Sequence, residues 1–102
     1  MNRAYVKVHR YGGETIVAIC DEELLGKELV HGELKIRIEE DFFGGELVEI
    51  ERIADYIRNA SMVNVFGNKS VNELGKIYPK LIEAAIEIGG VLHVQIFKSK
   101  KW

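Results

Sequence analysis

A single cysteine, Cys20, excludes an internal disulfide and any zinc motif built on a cysteine pair. Proline is nearly missing, with Pro79 alone, so the Pro-rich composition of a disordered segment is absent. Neither charge sign is in large excess. The net charge is −2 and the pI about 5.9, so the basic surplus of a dedicated duplex-DNA binder is lacking. A local basic face is still compatible with these totals. Long hydrophobic runs are missing too. The longest, residues 16–20, is far short of a membrane span. Residues 1–8 lack the apolar stretch of a signal peptide. A cytoplasmic protein without membrane contact is the expectation. On that basis the sequons at Asn59 and Asn68 are chance matches.

What is present is one domain's worth of chain. The 102 residues, with 47% hydrophobic and 29% charged content, read as a single domain over residues 1–102. In residues 4–10, Val6 and Val8 alternate with Tyr5, Lys7 and His9, the pattern of a half-buried strand. Gly12-Gly13 turns the chain into residues 14–20, apolar on both faces from Ile16, a central strand hairpin-paired with the first. Asp21 is placed to cap a short helical turn ended by Gly26. Leu34, Ile36 and Ile38 alternate with Lys35, Arg37 and Glu39 as a third strand. Phe42-Phe43-Gly44-Gly45 reads as a loop. Its likeness to Tyr11-Gly12-Gly13 suggests two similar turns into strands.

Ile50, Ile53, Ala54 and Ile57 have the spacing of an amphipathic helix. Residues 62–66 form a short buried strand ended by Gly67. Ser70 and Glu73 then match a capping box for a helix through Tyr78, which Pro79 stops. Residues 81–88 fit helix or strand, with a turn and then a strand favoured, because Gly89-Gly90 before residues 91–97 suggests a hairpin. In that last strand Leu92, Val94 and Ile96 face the core, and His93 and Gln95 face away. The fold class is α/β (α+β): a mostly antiparallel small sheet with two main helices packed on it.

A set of short pieces in a particular order carries a resemblance. They are Val8-His9, Cys20-Asp21 with Leu24-Leu25-Gly26-Lys27, Phe42-Phe43-Gly44-Gly45, Asn64-Val65-Phe66-Gly67, and residues 88–95. Together they resemble the archaeal domain-of-unknown-function family number 424. The resemblance implies an archaeal cytoplasmic protein and brings no activity with it. The family pattern would place proline and alanine where this chain has Leu92 and Val94; His93 and Gln95 match it.

Four candidate sites compete with plainer readings. If the first and last strands are neighbours, Tyr5, Lys7, His9, His93, Gln95 and Phe97 share a sheet face suited to stacking bases and holding phosphates. Lys35 and Arg37 would extend it, and Lys98, Lys100, Lys101 and Trp102 form a basic aromatic tail. An ordinary solvated face explains the same alternation more often. Gly67, Asn68, Lys69 and Ser70 form a strand-to-helix turn suited to an anion. The run lacks the glycine and the unbroken Gly-Lys of a P-loop, and a bare helix cap is commoner. His9, Cys20, His31 and His93 lack the short spacing of a metal site or an orienting third group for catalysis. The carboxylates Glu14, Glu46, Glu39, Glu40 and Asp41 are equally explained as solvated charge.

No catalytic residue, metal ligand or cofactor is therefore assigned. The favoured reading is a non-enzymatic binding module for RNA or a translation-associated partner. The alternatives are a small enzyme built around His93 and the Gly-Gly loops, or a protein-interaction module that forms a homo-oligomer.

Overall fold

The computed structural model describes residues 2–97, so the tail of Lys98, Lys100, Lys101 and Trp102 lies outside the described residues. The chain opens on a hairpin of β1 (Arg3–Tyr11) and β2 (Glu14–Asp21), joined by Gly12-Gly13 and paired from Ala4 opposite Asp21 to Tyr11 opposite Glu14. A 3-10 turn (Glu22–Leu24) follows, then β3 (Glu28–His31) and β4 (Leu34–Arg37), then one helical turn, α1 (Glu40–Phe43), and β5 (Glu46–Glu49). A second 3-10 turn (Ile50–Arg52) runs into α2 (Ile53–Ile57). Strand β6 (Met62–Phe66) leads to α3 (Asn68–Ile77) and α4 (Pro79–Glu83), and the chain closes on β7 (Ile86–Ile88) and β8 (Val91–Phe97).

The six-stranded sheet has the order β5-β1-β2-β6-β8-β7. Every neighbouring pair is antiparallel except β2 and β6. The sheet has a helical layer on one face. Val6, Val17, Ile19, Val63, Val65 and Val94 meet Ile50, Ile53, Ile57, Val71, Leu74 and Leu81 there. The apolar stripe beginning at Ile50 thus buries as its spacing requires, although it is split between a 3-10 turn and α2.

On the other face β3 and β4 form a separate two-stranded sheet. With α1 they cover only one end, where Leu29, Ile38 and Phe43 pack on Ala18, Cys20 and Phe66.

Several expectations change. Residues 34–37 do form a strand, but within this small lid, which also removes Lys35 and Arg37 from the main sheet. Leu34 is 60% exposed while Ile38 is fully buried, because the hairpin touches the sheet with one end. Phe42 and Phe43 end a helical turn instead of lying in a loop, and a strand does follow Gly44-Gly45. Pro79 both limits α3 and starts α4, where its missing N–H costs nothing. Residues 81–88 therefore divide into the end of a helix and a three-residue strand.

The helix cap differs most. Gly67 occupies the N-cap position of α3 with φ +127°, and Ser70 lies inside the helix. The cap comes from 49 residues away in sequence. Asp21 accepts the amide N–H of Lys69 at 3.1 Å and of Ser70 at 2.9 Å, and the Ser70 hydroxyl at 2.6 Å. Asp21 does precede a 3-10 turn, but its side chain does not cap it.

Candidate functional site

Strands β1 and β8 are not neighbours; β2 and β6 stand between them. Their outward residues nevertheless share one face, because directly opposed residues in a sheet point the same way. Three rows cross the sheet. Tyr5, Cys20, Phe66, His93 and Ile86 form one, Lys7, Ala18, Asn64 and Gln95 the next, and His9, Ile16, Met62 and Phe97 the third. The lid covers Tyr5, Cys20 and Phe66 of the first row and Ala18 of the second, leaves Ile86 exposed, and touches the third row through Phe42 on His9. The third row lies beyond the lid core, and it ends on Phe97, which is 73% exposed.

Lys7 and His9 fasten the lid to β1. Lys7 Nζ donates to the Asp41 carbonyl at 2.8 Å. His9 Nε2 lies 2.9 Å from the Phe42 carbonyl, and its ring stacks on Phe42 with centroids 4.8 Å apart. Tyr11, two residues on, is 64% exposed with its ring 3° from parallel to His9. Tyr5 sits beneath the lid, packed against the second core. Gln95 is exposed, with a 3.9 Å contact to the Met62 sulfur.

His93 lies at the lidded end. Its ring stacks on Phe66 at 4.0 Å, and Nε2 lies 3.0 Å from Asn64 Oδ1. With the amide oxygen as acceptor, Nε2 carries a proton, and the titrating position is Nδ1. Burial lowers the His93 pKa from 6.5. The unfolded chain therefore takes up the second ring proton more readily than the folded one. The stability so contributed is complete above about pH 6.5 and is lost as pH falls through the folded value. We expect the urea-unfolding difference between the native chain and His93→Gln to narrow from pH 7 to pH 5. A difference independent of pH would refute this assignment.

Among the described residues no hydrogen bond or ion pair joins His93 to a carboxylate. Cys20 is two strands away in the same row and fully buried. Burial first, then the charges of Asp21 and Glu23, push its thiol up to about 12, which leaves almost no nucleophilic thiolate at neutral pH. His9 and His93 are roughly 20 Å apart, three strands across and four residues along. Gly12-Gly13 closes the β1–β2 hairpin, Gly44-Gly45 follows α1 near Val6, and Gly89 meets the lid, donating its N–H to His31 Nδ1 at 3.0 Å. The paired glycines thus make three separate turns and border no common concavity. No group of three or more His, Cys, Asp or Glu among the described residues is arranged to hold a metal. A depression of about 340 Å³ is lined by Gly26, Arg37, Glu39, Glu40 and Asp41, which gathers three of the carboxylates singled out above beside the lid.

The turn Gly67-Asn68-Lys69-Ser70 is built as a strand-to-helix junction. The Lys69 and Ser70 amides are bound by the Asp21 carboxylate, and Asn68 Oδ1 accepts the Leu92 N–H at 2.8 Å. Lys69 Nζ reaches Glu23 at 3.5 Å. An external anion there would compete with a carboxylate of the chain itself. Sequence reasoning overlooked Tyr11 and Asn64. The parity of β1 places Tyr11 with His9, whereas Asn64 joins the face only through a pairing of β6 that nothing local reveals.

The chain thus defines a class by its fold: a mostly antiparallel α+β domain whose sheet is roofed by helices on one side and half-lidded on the other. No helix among the described residues is long and apolar enough to cross a membrane. Within that class it belongs to the family described as Protein of unknown function (DUF424), whose model matches residues 9–99. It is similar to a crystal structure described as that of an uncharacterized conserved protein from Methanopyrus kandleri. The identity is 28% and the TM-score 0.83, covering 98% of this chain and 96% of that one. No curated protein matches the sequence.

Proposed function

We propose that the protein is a non-enzymatic binding module that holds single-stranded RNA on the unlidded half of its sheet. The observation that carries the reading is the row from His9 to Phe97. Flanked by Tyr11, it carries a ring at each end, His9 and the exposed Phe97, with the Asn64 and Gln95 amides beside the apolar Ile16 and Met62 between them. Unpaired bases stack on such surfaces, and amides bond their edges. Lys7 stands one row away, and the sequence continues past Phe97 into Lys98, Lys100 and Lys101. With about two or three phosphate contacts, affinity should fall on the order of tenfold between 50 and 200 mM salt. Fluorescence anisotropy of a labelled unstructured RNA measures this. Absence of binding, or affinity indifferent to salt, refutes the reading.

One observation favours a second reading. Strand β7 pairs with β8 only at Val91, Leu92 and His93, so Val94–Phe97 lack an outer strand among the described residues. A partner strand, including that of a second copy, fits such an edge. Light scattering decides the self-associating version: a dimer dissolved by Phe97→Asp supports it, and a monomer at all concentrations rules it out.

A further inference from the structure

Resting on the reading of the open sheet half as a nucleic-acid surface, we propose that His9 and Tyr11 are the two jaws of a slot for one unpaired guanine base. Their ring planes are 3° from parallel and their centroids 6.4 Å apart. Stacked bases lie ~3.4 Å apart, so a ring held between two others needs a gap of ~6.8 Å. Two residues on one side of a strand are spaced by about this distance through the backbone rise alone. A slight opening of the exposed Tyr11 jaw admits a base.

The other jaw is rigid. Phe42 stacks against His9 with centroids 4.8 Å apart, and the Phe42 carbonyl fixes Nε2 at 2.9 Å. The ring therefore need not be ordered on binding, which removes part of the entropic cost. The entrance follows from the pairing. Strand β5 pairs with β1 only as far as Val6, so the β1 edge beside His9 and Tyr11 carries no paired strand among the described residues. A base entering there points its far edge at β2.

On β2 the residues opposite the jaws are Ile16, across from His9, and Glu14, across from Tyr11. Glu14 is exposed and stands on the same face. A carboxylate only accepts hydrogen bonds, and guanine offers two adjacent donors, N1–H and the 2-amino group, to its two oxygens. Adenine has one exocyclic amino group beside an acceptor nitrogen, and uracil one donor between two acceptors. Glu14 therefore selects guanine, and the aromatic jaws supply affinity without regard to base.

The test uses the full chain and titrates guanosine, adenosine, cytidine and uridine 5′-monophosphates, followed by NMR of the His9 and Tyr11 ring protons. A short oligouridylate with and without one guanosine is titrated in parallel. Guanosine monophosphate should move both rings and show upfield shifts of its own H8. Tyr11→Ala should weaken binding at least fivefold, the low end of the loss seen on removing a stacking ring, and Tyr11→Phe should retain it. Glu14→Gln should equalise guanosine and adenosine monophosphates. Equal affinity for all four nucleotides in the native chain overturns the guanine assignment. Unchanged binding in Tyr11→Ala overturns the slot. If oligouridylate binds while no nucleotide perturbs His9 or Tyr11, the slot fails and the RNA surface stands. If guanosine monophosphate fills the slot and neither RNA binds, the RNA reading fails and the slot stands.

Discussion

Replacing Asp21 with alanine is expected to destabilise the fold by about 3–5 kcal/mol, a large part of the ~5–15 kcal/mol that holds a domain of this size together. Asp21 is 3% exposed, and its carboxylate takes three donors, two amides at the start of α3 and the Ser70 hydroxyl. Ser70 is completely buried, so no water replaces the lost acceptor. Orphaned buried donors cost about 1–3 kcal/mol each, and loss of an N-cap about 0.5–2. These ranges overlap, because capping is the satisfaction of the same amides. Ser70→Ala removes one bond and leaves both amides paired, so about 1–2 kcal/mol is expected.

Gly67 belongs to the same unit. A Cβ there would lie 2.2 Å from Asp21 Cγ, at a φ of +127° that L-residues rarely adopt. Gly67→Ala should therefore cost less in an Asp21→Ala background than in the native chain. Urea unfolding of the four chains in the cycle measures both claims. An Asp21→Ala loss below about 1 kcal/mol, or strict additivity with Gly67→Ala, would show that the carboxylate is not the cap.

The second large effect is expected at Gly45. A Cβ on this residue would sit 2.2 Å from the Val6 carbonyl and 2.8 Å from Lys7 Cα. Both are backbone atoms of β1, so no side-chain rotation relieves the contact. Gly45→Ala should cost about 2–4 kcal/mol, at the upper end of overpacking penalties. The consequence reaches the candidate site. Separating this segment from β1 moves α1, and with it the Asp41 and Phe42 carbonyls that hold Lys7 and His9. The NMR signals of His9 should shift in Gly45→Ala, and by more than those of His93, which α1 reaches only indirectly, through Phe43 on Phe66. Unchanged His9 signals alongside native stability would refute the close approach.

Local periodicity carried a good part of the fold. The β1–β2 hairpin, the stripe from Ile50 to Ile57, strand β6 and the inward alternation of Leu92, Val94 and Ile96 were all legible. Each is written in residues a few positions apart, and side-chain period alone separates strand from helix. The family was legible for a related reason, since short pieces in a particular order survive where no single piece is distinctive. The three-residue β7 was hard to place, because a segment that short has almost no period to read. Strand β3 went unread for a different reason: it buries only Leu29 against the sheet, so its pattern carries little amphipathic signal.

The tertiary structure decided what depends on distant pairing. Ser70 with Glu73 matches a capping box, yet a carboxylate in the buried core displaced that local solution. A charged acceptor against two amides and a hydroxyl is a stronger set of bonds than a serine cap. Whether β1 and β8 touch could not be read from either strand. The chain interposed β2 and β6, and register parity alone kept His9 and Phe97 on one face. Local pattern alone is enough to say which residues turn outward and which turn inward on β1, on β8 and along the stripe from Ile50 to Ile57. Only the folded chain decided which outward rows the lid covers and which it leaves open, because that choice is made by groups far apart in sequence, as Lys7 with Asp41, His9 with Phe42 and Phe43 with Phe66.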